Sequence, residues 1–283
     1  MNIRIINAQE ITQTVKKLFM DCNFFIGTDI TDALQNAWQK ERSPVGKQVL
    51  SQLLENNEIA KNEQLPLCQD TGMSVLFVEY GDKVVIDGGN FKDAVEEGVR
   101  QAYCDGYLRK SVVSDPVFDR INTKDNTPAV IHTDIVAGDT IKFTVGGKGF
   151  GSENMSAIKM LTPSYGEQGV IDFILETVEK AGPNPCPPMV VGVGIGGTFE
   201  QCALLAKKAT FRPINTSNPD SRYAQMENHL LQEINKMGFG PAGLGGNTTA
   251  LGVNIETYPT HIAGMPVAVN ICCHCARHKT AII

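Results

Sequence analysis

Apolar positions recur along this chain with two periods, and the two periods mark out its elements. Over the first 60 residues the spacing is helical. "GTDITDALQNAWQKE" carries apolar residues on one face. "SPVGKQVLSQLLENNEIAKNE" opens with Ser43 as an N-cap and Pro44 in the first turn. The apolar run "MSVLFVEY" then predicts a buried strand. "NFKDAVEEGVRQAYCDGYLRKS" returns to helical spacing, and "AVIHTDIVAGDTIKFTVGG" predicts two strands with a Gly-Asp turn between them. "KGFGSENMSAIKMLTP" predicts a glycine-rich loop running into a short helix. A helix ("YGEQGVIDFILETVEKAG"), a strand ("MVVGVGIGG"), a helix ("TFEQCALLAKKA") and another helix over 220–237 follow. Glycine turns ("GFGPAGLGGNTT") and strand-like runs ("ALGVNIE", "PVAVNICC") fill most of the remainder.

Helices and strands alternate irregularly. That predicts a mixed α/β (α+β) class, with a helical N-terminal part and mixed sheets flanked by helices, not a clean doubly wound sheet. No repeat, low-complexity linker or composition shift marks a boundary. Residues 1–283 are therefore expected to form a single domain, with N-terminal helices over about 1–64 packed on an α/β core.

Composition narrows the chemistry. A chain of 283 residues can bury a substantial core, and 42% hydrophobic with 20% charged residues fits a soluble globular protein. A net charge of −6 argues against nucleic acid or an anionic membrane as the main partner. It leaves room for a small anionic substrate in a local basic pocket. No apolar run reaches the roughly 18 residues of a membrane span. Charges interrupt "MNIRIINAQEITQTVKK" where a secretory leader would be apolar. The expected location is the cytoplasm, where eight cysteines suggest thiolate chemistry or metal binding over disulfides. Cys22, Cys104 and Cys202 fall in helical segments and read as small buried hydrophobes.

Two short motifs invite specific readings. "GVGIGG" (192–197) fits G-x-G-x-x-G after a strand and before a helix, which suits a dinucleotide loop. No acid follows about 20 residues on, so a tight turn, or a helix N-terminus for another anion, is the stronger reading. "CCHC" (272–275) holds a Cys-x-x-Cys, but no second close pair completes a zinc site. A nicotinamide-binding oxidoreductase and a zinc-stabilised assembly protein stand as alternatives of another class. The other cysteines fall at element ends or in rigid loops: Cys68 before Gln-Asp-Thr-Gly, Cys186 in "NPCPP", and Cys273 beside His274 at the end of an apolar run. Three such cysteines can converge, and three thiolates suit a [4Fe–4S] cluster that keeps one iron open.

"LCQDTG", "LRKSVV", "GGKGFGSENMS", "CPPMVVGVGIGGTFE", "GPAGLGGNTTALGV" and "HIAGMPVAVNICCHCAR" together resemble the α subunit of two-subunit, class I iron–sulfur fumarate hydratases. The related L(+)-tartrate dehydratase α subunit shares most of this layout. The resemblance implies cluster ligands at Cys68, Cys186 and Cys273. Cys273 is preferred over Cys272 and Cys275 because the family pattern places an arginine four residues after the ligand, and Arg277 stands there. It implies that Asp70 takes part in proton transfer or positions substrate, beside Gln69. Arg109 would hold a substrate carboxylate, Gly151 would give backbone contact, and His261 would lie near the substrate. His132 and His229 read as structural or surface residues.

The implied reaction is reversible hydration of fumarate to (S)-malate by a tricarboxylic-acid-cycle lyase, with tartrate or another hydroxy-diacid as the alternative. The resemblance implies that further groups come from a second region, which is a separate β subunit in the two-subunit enzymes, and with ten residues after Cys273 such a subunit is expected to complete the site. The expected assembly is a dimer of αβ units.

Overall fold

The computed structural model describes residues 3–283. The chain divides into two compact units: Met1–Ile26 with Asn57–Phe150 and Arg277–Ile283, and Gly27–Asn56 with Gly151–Ala276. The class is mixed α/β, as the irregular alternation of periods predicts.

In the first unit, strand β1 (Arg4–Asn7) leads into helix α1 (Ala8–Phe24). Asn7 caps that helix by accepting the Gln9 N–H. Helix α2 (Thr28–Lys40) belongs to the second unit, and α3 (Pro44–Glu63) runs from the second unit back into the first. Strands β2 (Met73–Gly81) and β3 (Val84–Asp87) come next, then α4 (Phe91–Asp105), β4 (Val130–Val136) and β5 (Ile141–Lys148). β1 pairs with β3. A four-stranded sheet runs β10-β5-β2-β4, where β10 is Lys279–Ile282. β4 and β5 are both strands, but they do not form a hairpin. β2 lies between them, parallel to β4 and antiparallel to β5.

Helices α1 and α4 pack on this sheet. The core between them holds Phe19, Val99, Tyr103, Leu76, Phe143 and Val145, all with essentially no exposed surface. Phe91 stacks on Phe143 with ring centroids 6.1 Å apart. Cys22 is buried there as expected, whereas Cys104 is exposed on the outer face of α4. The helical period that predicted burial for Cys104 puts it one step off the buried stripe formed by Val95, Val99, Ala102 and Tyr103.

The second unit holds a one-turn helix α5 (Phe150–Glu153, its first residue in the first unit), β6 (Ala157–Leu161), α6 (Gly166–Ala181) and β7 (Met189–Gly196). It continues with α7 (Phe199–Ala209), α8 (Ser221–Lys236), β8 (Ala250–Tyr258) and β9 (Met265–Cys272). Its sheet runs β6-β9-β7-β8. The segment read as a short helix after the glycine-rich loop is thus strand β6, paired antiparallel with β9. Five apolar-rich residues carry no period of their own, and the open edge of β9 decides their conformation.

Side chains alternate across β7. Val191 and Val193 enter the core made with α6 and α8. Gly192 and Gly194 face α7 on the other side. A Cβ on Gly194 would lie 2.0 Å from the Cys202 carbonyl oxygen, and one on Gly192 would lie 2.3 Å from that of Ala206. The glycine motif therefore lets a helix backbone lie directly on the strand.

Candidate functional site

The "LCQDTG" turn sits between α3 and β2, and five contacts within its unit hold it. Tyr103, fully buried on α4, donates its hydroxyl to the carbonyls of Thr71 (3.2 Å) and Gly72 (2.9 Å). Burial pushes that hydroxyl well above its ordinary range, so it stays a donor. Asn126 Nδ2 donates to the Gly72 carbonyl at 3.2 Å. Thr71 Oγ1 donates to the Arg109 carbonyl at 3.1 Å. Arg277, only 5% exposed, donates from Nη2 to the Asp70 carbonyl and from Nε to the Gly147 carbonyl at 3.2 Å.

On this turn the Cys68 thiol is half-buried and donates to Gln69 Oε1 at 3.5 Å. Gln69 itself is exposed. Asp70 is half-buried, and both its carboxylate oxygens accept backbone N–H groups: Oδ1 from Gly72 at 3.0 Å, Oδ2 from Phe150 at 3.1 Å. Asp70 thus closes its own turn, as aspartate often does. Each oxygen still has a second lone pair for other work. Arg109 is exposed, with its backbone tied to Thr71 and so to the same turn. Cys68, Gln69, Asp70 and Arg109 are therefore held together by one local network.

The second unit gathers another set. Cys186 is exposed in its proline loop with φ +54, a left-handed conformation that costs a non-glycine residue roughly 1–3 kcal/mol. Its carbonyl accepts the His274 backbone N–H at 3.4 Å and lies 3.0 Å from His274 Nδ1. A carbonyl only accepts, so Nδ1 carries the proton in that bond. The Cys186 loop is thereby fixed beside the chain end that carries half-buried Cys273. The "GPAGLGG" loop braces it from behind: Ala242 N–H donates to the Pro187 carbonyl at 2.8 Å, and a Cβ on Gly243 would strike Pro183.

Gly151 is exposed in α5. A Cβ there would meet nothing nearer than the Asn184 carbonyl oxygen, at 3.9 Å. Internal packing does not demand a glycine at this position, and the open side would admit a ligand to the backbone. Nearby, Glu153 pairs with Lys207 and accepts Asn270 Nδ2 at 3.0 Å, which ties the "GSEN" segment to α7 and β9.

His261 stands apart. It lies exposed in the β8–β9 turn, where Nδ1 accepts the Ala263 N–H at 3.2 Å. Cys186 and Cys273 flank the opposite end of the same sheet, because β7 and β9 run antiparallel. The length of β9 puts His261 roughly 20 Å or more from them, at about 3.3 Å per strand residue. Of the other histidines, His132 stacks on Phe77 with centroids 5.2 Å apart, and His229 is exposed on α8. Cys272 and Cys275 are buried.

Cys68 in the first unit, and Cys186 and Cys273 in the second, are each half-buried or exposed loop thiols, the soft donor type that iron–sulfur clusters take. The local hydrogen bonds also bring the Cys186 and Cys273 segments together. Among the described residues no three His, Cys, Asp or Glu side chains are already grouped as a metal site. Sequence reading missed Tyr103, Asn126 and His274 as supports. No periodic or motif signal marks them, and each is found only by asking what satisfies the carbonyls of the two loops.

The family is defined by comparison. The model of the fumarate hydratase (Fumerase) family matches residues 12–282, and the chain belongs to that family of hydro-lyases. Among similar proteins, the Methanocaldococcus jannaschii protein named putative L(+)-tartrate dehydratase subunit alpha is 40% identical over 277 residues, covering 96% of each chain. The L(+)-tartrate dehydratase subunit alpha of Escherichia coli K12 is 32% identical over 285 residues, covering 98% of this chain and 93% of that one. The Shigella sonnei protein of the same name matches equally. The motifs imply fumarate as substrate, whereas these relatives carry the tartrate designation. Among the described residues no helix is long and apolar enough to cross a membrane.

Proposed function

We propose that the chain is the α subunit of an iron–sulfur dehydratase for a small hydroxy-diacid, with L(+)-tartrate as the leading substrate. The observation that carries this reading is the turn that presents Cys68, Gln69 and Asp70 beside Arg109, in a member of a hydro-lyase family whose named relatives are tartrate dehydratase α subunits.

Removal of water from a hydroxy-diacid takes a proton from carbon beside one carboxylate and a hydroxyl from the next carbon. Cys68, Cys186 and Cys273 would hold the cluster, which would supply Lewis-acid chemistry when bound. Arg109 binds a substrate carboxylate, for which its planar fork is suited. Gln69 hydrogen-bonds the substrate, and Gly151 lets it approach the backbone. Asp70 holds or moves the proton, with its direction set by the Gly72 and Phe150 N–H groups. His261 contributes near the substrate only if another chain carries it there, given its place in its own unit. A separate β subunit completes the site, and αβ pairs associate further into dimers.

Fumarate and (S)-malate remain the second reading, favoured by the family model itself. The test is the complex with its β subunit, loaded with cluster and assayed for dehydration of L(+)-tartrate and of (S)-malate. A kcat/KM at least tenfold higher for tartrate supports the leading reading. Equal values or the reverse order move fumarate hydratase activity to the front. No dehydration of either substrate contradicts both.

A further inference from the structure

Arg277 lies 207 residues from Asp70 in sequence and touches it in the fold. Its guanidinium is almost wholly buried, which is costly for a charge unless polar groups receive it. Two of those groups are the carbonyls of Asp70 and Gly147. These carbonyls belong to two backbone segments that press together with no side chain between them. A Cβ on Gly147 would lie 2.3 Å from the Thr71 carbonyl oxygen, and one on Gly72 would lie 2.6 Å from the backbone of Lys148.

The Asp70 carboxylate spans the same two segments. Oδ1 takes an N–H from its own turn, at Gly72, and Oδ2 takes one from Phe150, just past β5. If the turn drifted from the end of β5, the Gly72 bond would travel with it and the Phe150 bond would break. The direction of the carboxylate therefore depends on what fixes the two segments together.

We propose that Arg277 is a positioning residue: its planar guanidinium clips the Asp70 turn to the end of β5 and thereby aims the Asp70 carboxylate. The proposal rests on the reading that Asp70 acts on substrate. Only an arginine fork bridges two carbonyls in fixed directions; a lysine ammonium is a point charge on a flexible stem. The clip needs the shape as well as the charge.

The test is Arg277→Lys and Arg277→Met in the full chain, read by amide hydrogen exchange. The clip predicts that the Phe150 amide loses protection at least tenfold in both variants while the Gly72 amide keeps it. A general stabilising role would speed exchange throughout β5 and β10 together, and that result overturns the proposal. Unchanged protection at Phe150 also overturns it. In the cluster-loaded complex with its β subunit, Arg277→Lys should lower kcat per cluster at least tenfold and leave KM within twofold. Lost Phe150 protection with unchanged kcat overturns the positioning role, whereas failure of the wild type to dehydrate any hydroxy-diacid is failure of the functional reading instead. If neither variant folds, the wild type decides. Its Arg277 Nε–H should exchange far more slowly than that of exposed Arg109, and equal rates would contradict the clip.

Discussion

Replacing Gly194 with alanine separates two accounts of the "GVGIGG" stretch. The added Cβ would lie 2.0 Å from the Cys202 carbonyl oxygen, 2.5 Å from Ala206 N and 2.8 Å from Leu205 Cβ. Ordinary contact begins near 3.4 Å, so α7 would have to rise from β7 by more than an ångström. The obstacle is helix backbone, which cannot rotate aside. Overpacking of this kind costs about 1–3 kcal/mol, and a rigid neighbour places the effect near the upper end. At about 2–4 °C per kcal/mol for a chain of this size, the melting temperature should fall by roughly 6–12 °C. Gly151→Ala is the control. Its Cβ would meet nothing closer than 3.9 Å, so Tm should stay within about 2 °C while substrate KM rises. Scanning calorimetry on both variants, with NADH titration of the wild type and of Gly194→Ala, reads the outcome. A Gly194→Ala protein that melts with the wild type and has lost NADH binding would refute the packing account and restore the dinucleotide loop.

Three further outcomes follow from the two units. Glu227 is 6% exposed; it pairs with Arg212 and accepts the Ile255 N–H at 2.7 Å, so Glu227→Ala should cost about 3 kcal/mol in denaturant unfolding. Burial pushes the Cys22 thiol up to about 12, with Arg277 partly opposing. The folded chain then keeps a proton that the unfolded chain releases above about pH 8.5, so stability is full below that pH and falls by about 1.4 kcal/mol per pH unit on the way to the folded value. Unfolding measured against pH should show this slope, and Cys22→Ala should flatten it. Arg109→Ala should raise KM for the diacid roughly ten- to hundredfold, the loss of charge-assisted hydrogen bonds, with a smaller effect on kcat; an unchanged KM would remove Arg109 from the binding role.

Much of this fold is written in local pattern. The long amphipathic helices α1, α2, α6 and α8 and the apolar runs of β2, β7 and β9 follow from periodicity alone. What fails is non-local. The Ala157–Leu161 segment is too short to show a period, and only the edge of β9 makes it a strand. Lys279–Ile282 has no strand signature and becomes β10 by pairing with β5. β4 and β5 look like hairpin partners because they are adjacent in sequence, yet β2 takes the place between them. The site divides the same way. Motifs single out Cys68, Asp70, Cys186 and Cys273 as candidates, because each stands in a turn, a rigid loop or an element end that the residue pattern itself reveals. Tyr103, Asn126, His274 and the Arg277–Asp70 contact answer to hydrogen-bond demands that arise only once distant segments meet. His261 is visible in sequence, but its distance from Cys186 and Cys273 depends on the direction of β9, which no motif encodes.

The measurement closest to the central claim is iron and acid-labile sulfide per chain after anaerobic reconstitution, in the wild type and in Cys273→Ser. A three-cysteine cubane predicts about four of each in the wild type, sharply reduced in the variant. Absence of sulfide in the wild type, or an unchanged content in Cys273→Ser, would contradict the cluster or its ligand set.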